Sequence, residues 1–203
     1  MYGLPQSTLI RKQLPKSQIY KKFELKHSQQ ESFDKDIARI DIVAMVSSRT
    51  VPAVAEGAEV KEFYLLEVQL KRRDYDINNI KLLTKLIPQR MVFALCDGDA
   101  VQFVIYHTQI IKSEWMKEGD ERRRYAVSLQ GLNLDIVWEN IVKKVGQIDV
   151  EEGNTLTEQI AKDDQRAKIE AKIKVLEARM AIERQPRRKR EIFEEIKLLK
   201  KML

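Results

Sequence analysis

The chain has 203 residues, 43% of them hydrophobic and a third charged, which is enough apolar content for a folded core and too much for a disordered chain. Its 37 Lys and Arg stand against 31 Asp and Glu, a formal charge of +6 that permits an anionic partner without requiring one. One cysteine and two histidines exclude a disulfide framework and a Cys/His zinc site. The polar N-terminus and the lack of any apolar run of about 20 residues lead us to expect a soluble, cytoplasmic protein.

Taken in order, Leu4-Pro5 and Leu14-Pro15 favour extended backbone before each proline. A short helix is predicted after Pro15, with Ile19, Tyr20 and Phe23 on one face. Ser28-Gln29-Gln30-Glu31 has the spacing of a capping box, and Phe33, Ile37 and Ile40 are expected to form the buried stripe of the helix it opens. The apolar run from Ile40 to Val46 predicts a strand covered on both faces, and residues 47–58 read as a loop. A β-prone run over residues 60–71 is followed by Ile77, Ile80, Leu83 or Thr84, and Ile87 at helical spacing. Pro88 marks the helix end, and Met91 to Leu95 reads as the next strand, completing a right-handed βαβ unit. Asp74 or Asp76 is the expected helix cap.

Asp97-Gly98 between two strong strand runs predicts a tight hairpin. Further strands are expected over 109–116 and from Arg122 to Leu129, separated by a turn at Glu118-Gly119-Asp120. Asn133 then caps a helix whose Leu134, Val137 or Trp138, Ile141 and Val145 face inward. The fold class expected is α/β (α+β): a mixed sheet of five or six strands with packed helices, occupying residues 1–148. Residues 149–203 form a linker and a C-terminal element.

In that element Ile169, Ile173, Leu176 and Met180 form one stripe, and Ile192, Ile196, Leu199 and Leu203 another. The 12 residues from Met180 to Ile192 put the stripes out of phase in a straight helix. Paired as Met180/Ile192, Leu176/Ile196, Ile173/Leu199 and Ile169/Leu203, they share one mirror point at the helix-breaking Pro186. This predicts an antiparallel helical hairpin, marginal alone, which should gain stability by packing on the domain, a second copy or another protein.

Three features bear on chemistry. Glu67, Gln69 and Lys71 alternate along one strand and share a face. With Asp41 they match a metal-dependent nuclease pattern, in which two acidic groups hold Mg²⁺ and the lysine orients the attacking water. The competing reading is a polar face of a half-exposed strand. Basic runs occur at Lys71-Arg72-Arg73, Arg122-Arg123-Arg124 and Arg187-Arg188-Lys189-Arg190. They are candidates for phosphate contact, although neighbouring acids dilute the field and no interleaved aromatics offer base stacking. Cys96 lacks a partner base and reads as a structural thiol. With no phosphate-binding glycine loop and no nucleophile elbow, no cofactor and no resident metal are expected.

The order of landmarks resembles a bacterial family known as domain-of-unknown-function family four-three-nine-one. They are Leu4-Pro5 with Ser7-Thr8; Leu14-Pro15-Lys16 with Tyr20; Leu70-Lys71; Ile87-Pro88 before Val92-Phe93; Glu114-Trp115; Gly131-Leu132-Asn133-Leu134-Asp135 with Glu139-Asn140; and the tail from Glu183 onward. The resemblance implies a genetic context beside restriction-type helicases and DNA methyltransferases in restriction-like or phage-defence islands. It therefore implies an accessory, non-enzymatic interaction protein of such a complex, with the hairpin as contact element. The alternatives are a direct nucleic-acid-binding subunit and a divergent Mg²⁺-dependent nuclease.

Overall fold

The computed structural model describes residues 2–117, 119–121, 123 and 126–202. Within them the chain divides into two compact units, with the boundary between Asp149 and Val150. The first unit is an α+β domain built on one six-stranded mixed sheet. In chain order it comprises β1 (Leu9–Gln13), α1 (Lys16–Lys22), α2 (His27–Asp36), β2 (Ile37–Ser47), β3 (Glu62–Leu70), α3 (Ile77–Leu83), β4 (Arg90–Asp97), β5 (Ala100–Tyr106), β6 (Ile110–Lys112) and α4 (Leu134–Gly146). The sheet order is β1-β2-β3-β4-β5-β6. Only β3 and β4 pair in parallel among the described strands, because a helix-length crossover is needed to bring a strand back in the same direction. The predicted βαβ unit is therefore β3-α3-β4.

Alternation along β3 sorts its side chains between two layers. Leu66, Val68 and Leu70 enter one core with Phe93 and Leu95 of β4 and with Ile19, Phe33, Ile80 and Leu83 of α1, α2 and α3. On the opposite side α4 packs against β5 and β6, and Trp138 meets Phe63 at 5.7 Å between ring centroids. These aromatics are almost fully buried, each withdrawing enough apolar surface to contribute roughly 1.5–3 kcal/mol.

Several local expectations need correction. The second helix starts at His27, one residue before Ser28, and Gln29 rather than Glu31 returns its side-chain oxygen to the Lys26 N–H at 2.9 Å. It ends at Asp36, so Ile37 and Ile40 belong to β2, their apolar spacing serving a strand rather than a helical stripe. The crossover helix ends at Leu83. Ile87 lies in the turns after it, next to Pro88, whose ring disfavours helix in the residue before it. Of the two expected caps it is Asp76 that serves, as foreseen, accepting from Asn78 N–H at 2.9 Å.

In the β4–β5 hairpin Asp97 pairs with Ala100, which centres the turn on Gly98-Asp99. Gly98 has φ +60° while Asp99 does not enter that region, so one glycine, not two positive-φ residues, makes the reversal. The strand expected over 109–116 shrinks to Ile110–Lys112 plus one bridge at Met116. In the stretch from Arg122 to Leu129, Arg122, Arg124 and Tyr125 lie outside the described residues, as does Glu118 of the preceding turn. Arg123 and residues 126–129 are not in strand. β1 is an element that the proline-flanked N-terminal sequence did not announce.

The second unit contains α5 (Leu156–Ile182) and α6 (Pro186–Lys200). Thr155 and Glu158 form a capping box at the start of α5. Three residues join the helices, which forces them antiparallel. Pro186 sits at the first turn of α6, where its missing N–H costs nothing; it opens the second helix instead of marking the centre of the turn. No helix among the described residues is long and apolar enough to cross a membrane.

Candidate functional site

The polar row foreseen on β3 lies on the sheet face that carries α4. Asp41 of β2 stands opposite Glu67 of β3, so the sheet itself brings Asp41, Glu67 and Gln69 together. Each is engaged within the chain. The Tyr2 hydroxyl donates to Glu67 Oε2 at 3.0 Å, and Gln69 Nε2 donates to Glu67 Oε1 at 2.7 Å. Arg39 grips Asp41 through Nε and Nη2 at 2.6 and 2.8 Å, the two-pronged geometry that guanidinium and carboxylate favour. Tyr2 is buried, edge-on to Phe103, and its hydroxyl lies 3.6 Å from Cys96 Sγ. Burial, then the neighbouring Cys96 and Glu67, hold the Tyr2 phenol far above its ordinary pKa. Burial likewise raises the Cys96 thiol, which favours the inert protonated form.

Lys71 does not join them. It follows the last residue of β3, its backbone N–H donates to Asp36 O at 2.7 Å, and its side chain is exposed. The charge it carries acts on Asp34 of α2, whose carboxyl is depressed: burial acts upward, and Lys16, Tyr20 and Lys71 outweigh it. Among the described residues no group of three or more His, Cys, Asp or Glu side chains is placed to hold a metal ion.

The basic runs are partly consumed by intramolecular partners. Arg72 Nε donates to the buried Asp36 at 2.6 Å, and Arg73 Nε to Asp97 at 3.0 Å with its guanidinium 5.0 Å above the Trp115 ring. Arg123 donates to the Asp99 carbonyl at 3.0 Å; Arg122 and Arg124 lie outside the described residues. Arg187 pairs with Glu191 at 3.3 Å, both largely exposed, while Arg188, Lys189 and Arg190 are exposed on the first turns of α6.

The segment Gly131-Leu132-Asn133-Leu134-Asp135 is an anchor. Asn133 caps α4 by accepting from Ile136 N–H at 3.0 Å. Asp135, one residue into the helix, accepts from the backbone amides of Ala58, Glu59 and Val60 at 2.6, 3.2 and 2.7 Å. The Val60 amide, ahead of burial in size, leads the effects that hold its carboxyl below the usual range. A Cβ at Gly57 would collide with this carboxylate and lie 2.7 Å from the Asp135 nitrogen. Asp135→Ala should therefore lower stability by about 1–2 kcal/mol, discounted for partial exposure, and speed hydrogen exchange of the amides at 58–60, which Asp135→Asn should do less. Unchanged exchange there would remove the anchor.

The family described as "Domain of unknown function (DUF4391)" matches residues 2–203. The chain belongs to the DUF4391 family. No curated protein and no solved structure matches it.

In the tail of this DUF4391 protein, Ile173, Leu176, Ile192 and Ile196 are buried together, with Ile169, Met180 and Leu199 packed against them. Seven of the eight predicted stripe residues thus form the hairpin's own seam; Leu203 lies outside the described residues. Lys172 reaches Glu195 at 2.7 Å and Lys200 reaches Glu177 at 2.8 Å across the two helices. Sequence reading missed the apolar residues left outside the seam: Val175, Ile182, Phe193, Leu198 and Met202, exposed by 52–79%. A signal existed. Val175 and Ile182 are seven apart, and Leu198 and Met202 four apart, helical spacings off the main stripes.

Proposed function

We propose that this DUF4391 protein is a non-catalytic accessory protein that docks, through its C-terminal hairpin, onto a helicase or methyltransferase subunit of a DNA-processing complex. The observation that carries the reading is the hairpin's outer surface. Its seam is filled, yet among the described residues five large apolar side chains still face solvent. Burying each against a partner would contribute up to roughly 1.5–3 kcal/mol, and apolar anchors repeating along a helix are the pattern that a partner's groove takes. The partner class is the one expected from the family's gene neighbourhood. The polar row supports a non-catalytic role, since Asp41 and Glu67 are held by Arg39, Tyr2 and Gln69, and Lys71 lies apart from them.

The test is co-purification of the full chain with the helicase or methyltransferase encoded beside it. The wild type should retain that subunit, and a variant with Val175, Leu198 and Met202 each changed to Ser should lose it while keeping its helix content. Equal retention by the variant would remove the hairpin from the contact. Light scattering of the purified chain separates self-association from docking.

A further inference from the structure

Two depressions in the N-terminal unit, of about 490 and 710 Å³, share Thr84, Lys85 and Tyr106 as wall and so form one groove. Five cations line it, each from a different place: Lys22 at the end of α1, Lys81 on α3, Lys85 in the turn that follows, Arg90 at the start of β4 and Lys112 at the end of β6. No Asp or Glu lines either depression among the described residues. None of the five is within ion-pair reach of a carboxylate among them either. That contrasts with Arg72 and Arg73 of the first basic run, which are neutralised by Asp36 and Asp97. Arg90 lies with its guanidinium 5.9 Å over the Trp138 ring of α4, which leaves the four lysines, Lys22, Lys81, Lys85 and Lys112, as the groove's phosphate contacts.

The groove is also shaped. The Lys22 ammonium donates to the Leu86 carbonyl, tying α1 to the turn over residues 84–89. That turn is tight, with Lys85 N–H bonded to Leu82 O at 3.1 Å and Leu86 N–H to Leu83 O at 3.0 Å. At the junction of the two depressions stands Tyr106, the last residue of β5, 46% exposed. Dispersed cations around an uncovered aromatic ring are what a flexible polyanion with stackable bases requires.

We propose that this groove binds a single-stranded nucleic acid, its phosphates held by Lys22, Lys81, Lys85 and Lys112 and one base stacked on Tyr106. A concave floor with an aromatic ring suits an unpaired base, whereas a duplex would call for a projecting helix or ribbon to enter its groove. The inference goes beyond hairpin docking and does not depend on it, since every residue involved belongs to the first unit.

The test is fluorescence anisotropy of a labelled single-stranded oligonucleotide of about 15 residues against the full chain across a salt series. Lys81→Ala/Lys85→Ala/Lys112→Ala, all exposed positions, should weaken binding at least tenfold. It should also make the slope of log affinity on log salt shallower by about 2, near 0.7 for each lost phosphate contact. Tyr106→Ala should weaken binding about tenfold at every salt concentration, and Tyr106→Phe should restore it. Arg187→Ala/Arg188→Ala/Lys189→Ala/Arg190→Ala should bind as the wild type does. The proposal is overturned if no binding is seen, if the groove variants bind normally, or if only the hairpin variant loses affinity. Displacement by inorganic phosphate or a mononucleotide at comparable concentration, or tighter binding of duplex, overturns it too, because the site would then not read an extended single strand.

Discussion

Asp36→Ala should lower the unfolding free energy by about 3 kcal/mol, read as a fall in the urea midpoint at unchanged slope. Asp36 is fully buried at the end of α2 and fastens the turn between β3 and α3. Its Oδ1 accepts from Arg72 Nε at 2.6 Å, and its Oδ2 from Asp76 N–H at 2.7 Å and Asn79 Nδ2 at 2.9 Å. Asn79 is itself buried. Truncation leaves an amide and a backbone N–H without this acceptor, each costing roughly 1–3 kcal/mol. Arg72 is partly exposed and recovers water, so the total falls at the lower end of what breaking a buried pair costs.

The pH dependence carries a sign. Burial acts to raise the Asp36 carboxyl, but the Asp76 amide, Arg72 and Asn79 outweigh it, and the folded-state pKa lies below the ordinary value. Its contribution is thus complete above the unfolded pKa of about 3.9 and lost as pH falls through the folded one. The gap between wild type and Asp36→Asn should be constant near neutrality and close in acid. A gap that is the same at every pH would mean that the carboxylate charge does not matter.

The second large effect belongs to the hairpin. Ile192→Asp should remove much of the ordered helix over residues 156–200, seen as lost ellipticity at 222 nm and fast hydrogen exchange throughout that segment. Ile192 is 7% exposed in a seam with Ile173, Leu176 and Ile196. An unpaired carboxylate there costs several kcal/mol, whereas the seam has few other large residues to resist it. Once the seam opens, α6 has 15 residues, a length at which an isolated helix is marginal in water. Phe193→Asp, at the neighbouring exposed position, should leave the helices intact. Equal loss in both variants would mean that the seam is not what holds the pair.

The architecture was legible because its signals are local. Four apolar residues at helical spacing, mirrored about Pro186, were enough to specify two antiparallel helices, and Ile77, Ile80 and Leu83 at helical spacing between β3 and β4 specified a helical crossover. What failed were boundaries at which two periods fit the same residues. Ile37 and Ile40, three apart, satisfy a helix but lie in β2, because the sheet pairing of Arg39 with Gln69 and of Ile40 with Val68 overrides the local preference. β1 went unseen since its five residues, mostly polar and exposed, pair along one edge only.

The polar row shows the limit of a sequence pattern more sharply. Alternation placed Glu67 and Gln69 on one face, and sheet register added Asp41. The hydroxyl that engages Glu67 comes from Tyr2, 65 positions away, which no spacing rule connects to it. Likewise, runs of adjacent cations drew attention to Arg72 and Arg73, which are spent on Asp36 and Asp97. Lys22, Lys81, Lys85, Arg90 and Lys112 converge only through the fold, and their dispersal along 91 positions hid them.

The most direct measurement is the affinity of the purified chain for the helicase or methyltransferase subunit proposed as its partner, titrated for the wild type, for Leu198→Asp/Met202→Asp and for Lys71→Ala. Hairpin docking predicts a loss of about 100-fold or more for the double variant, as expected when apolar anchors worth roughly 3 kcal/mol together are replaced by charge, and wild-type affinity for Lys71→Ala. Wild-type affinity in the double variant, with its helix content intact, would contradict docking through the hairpin.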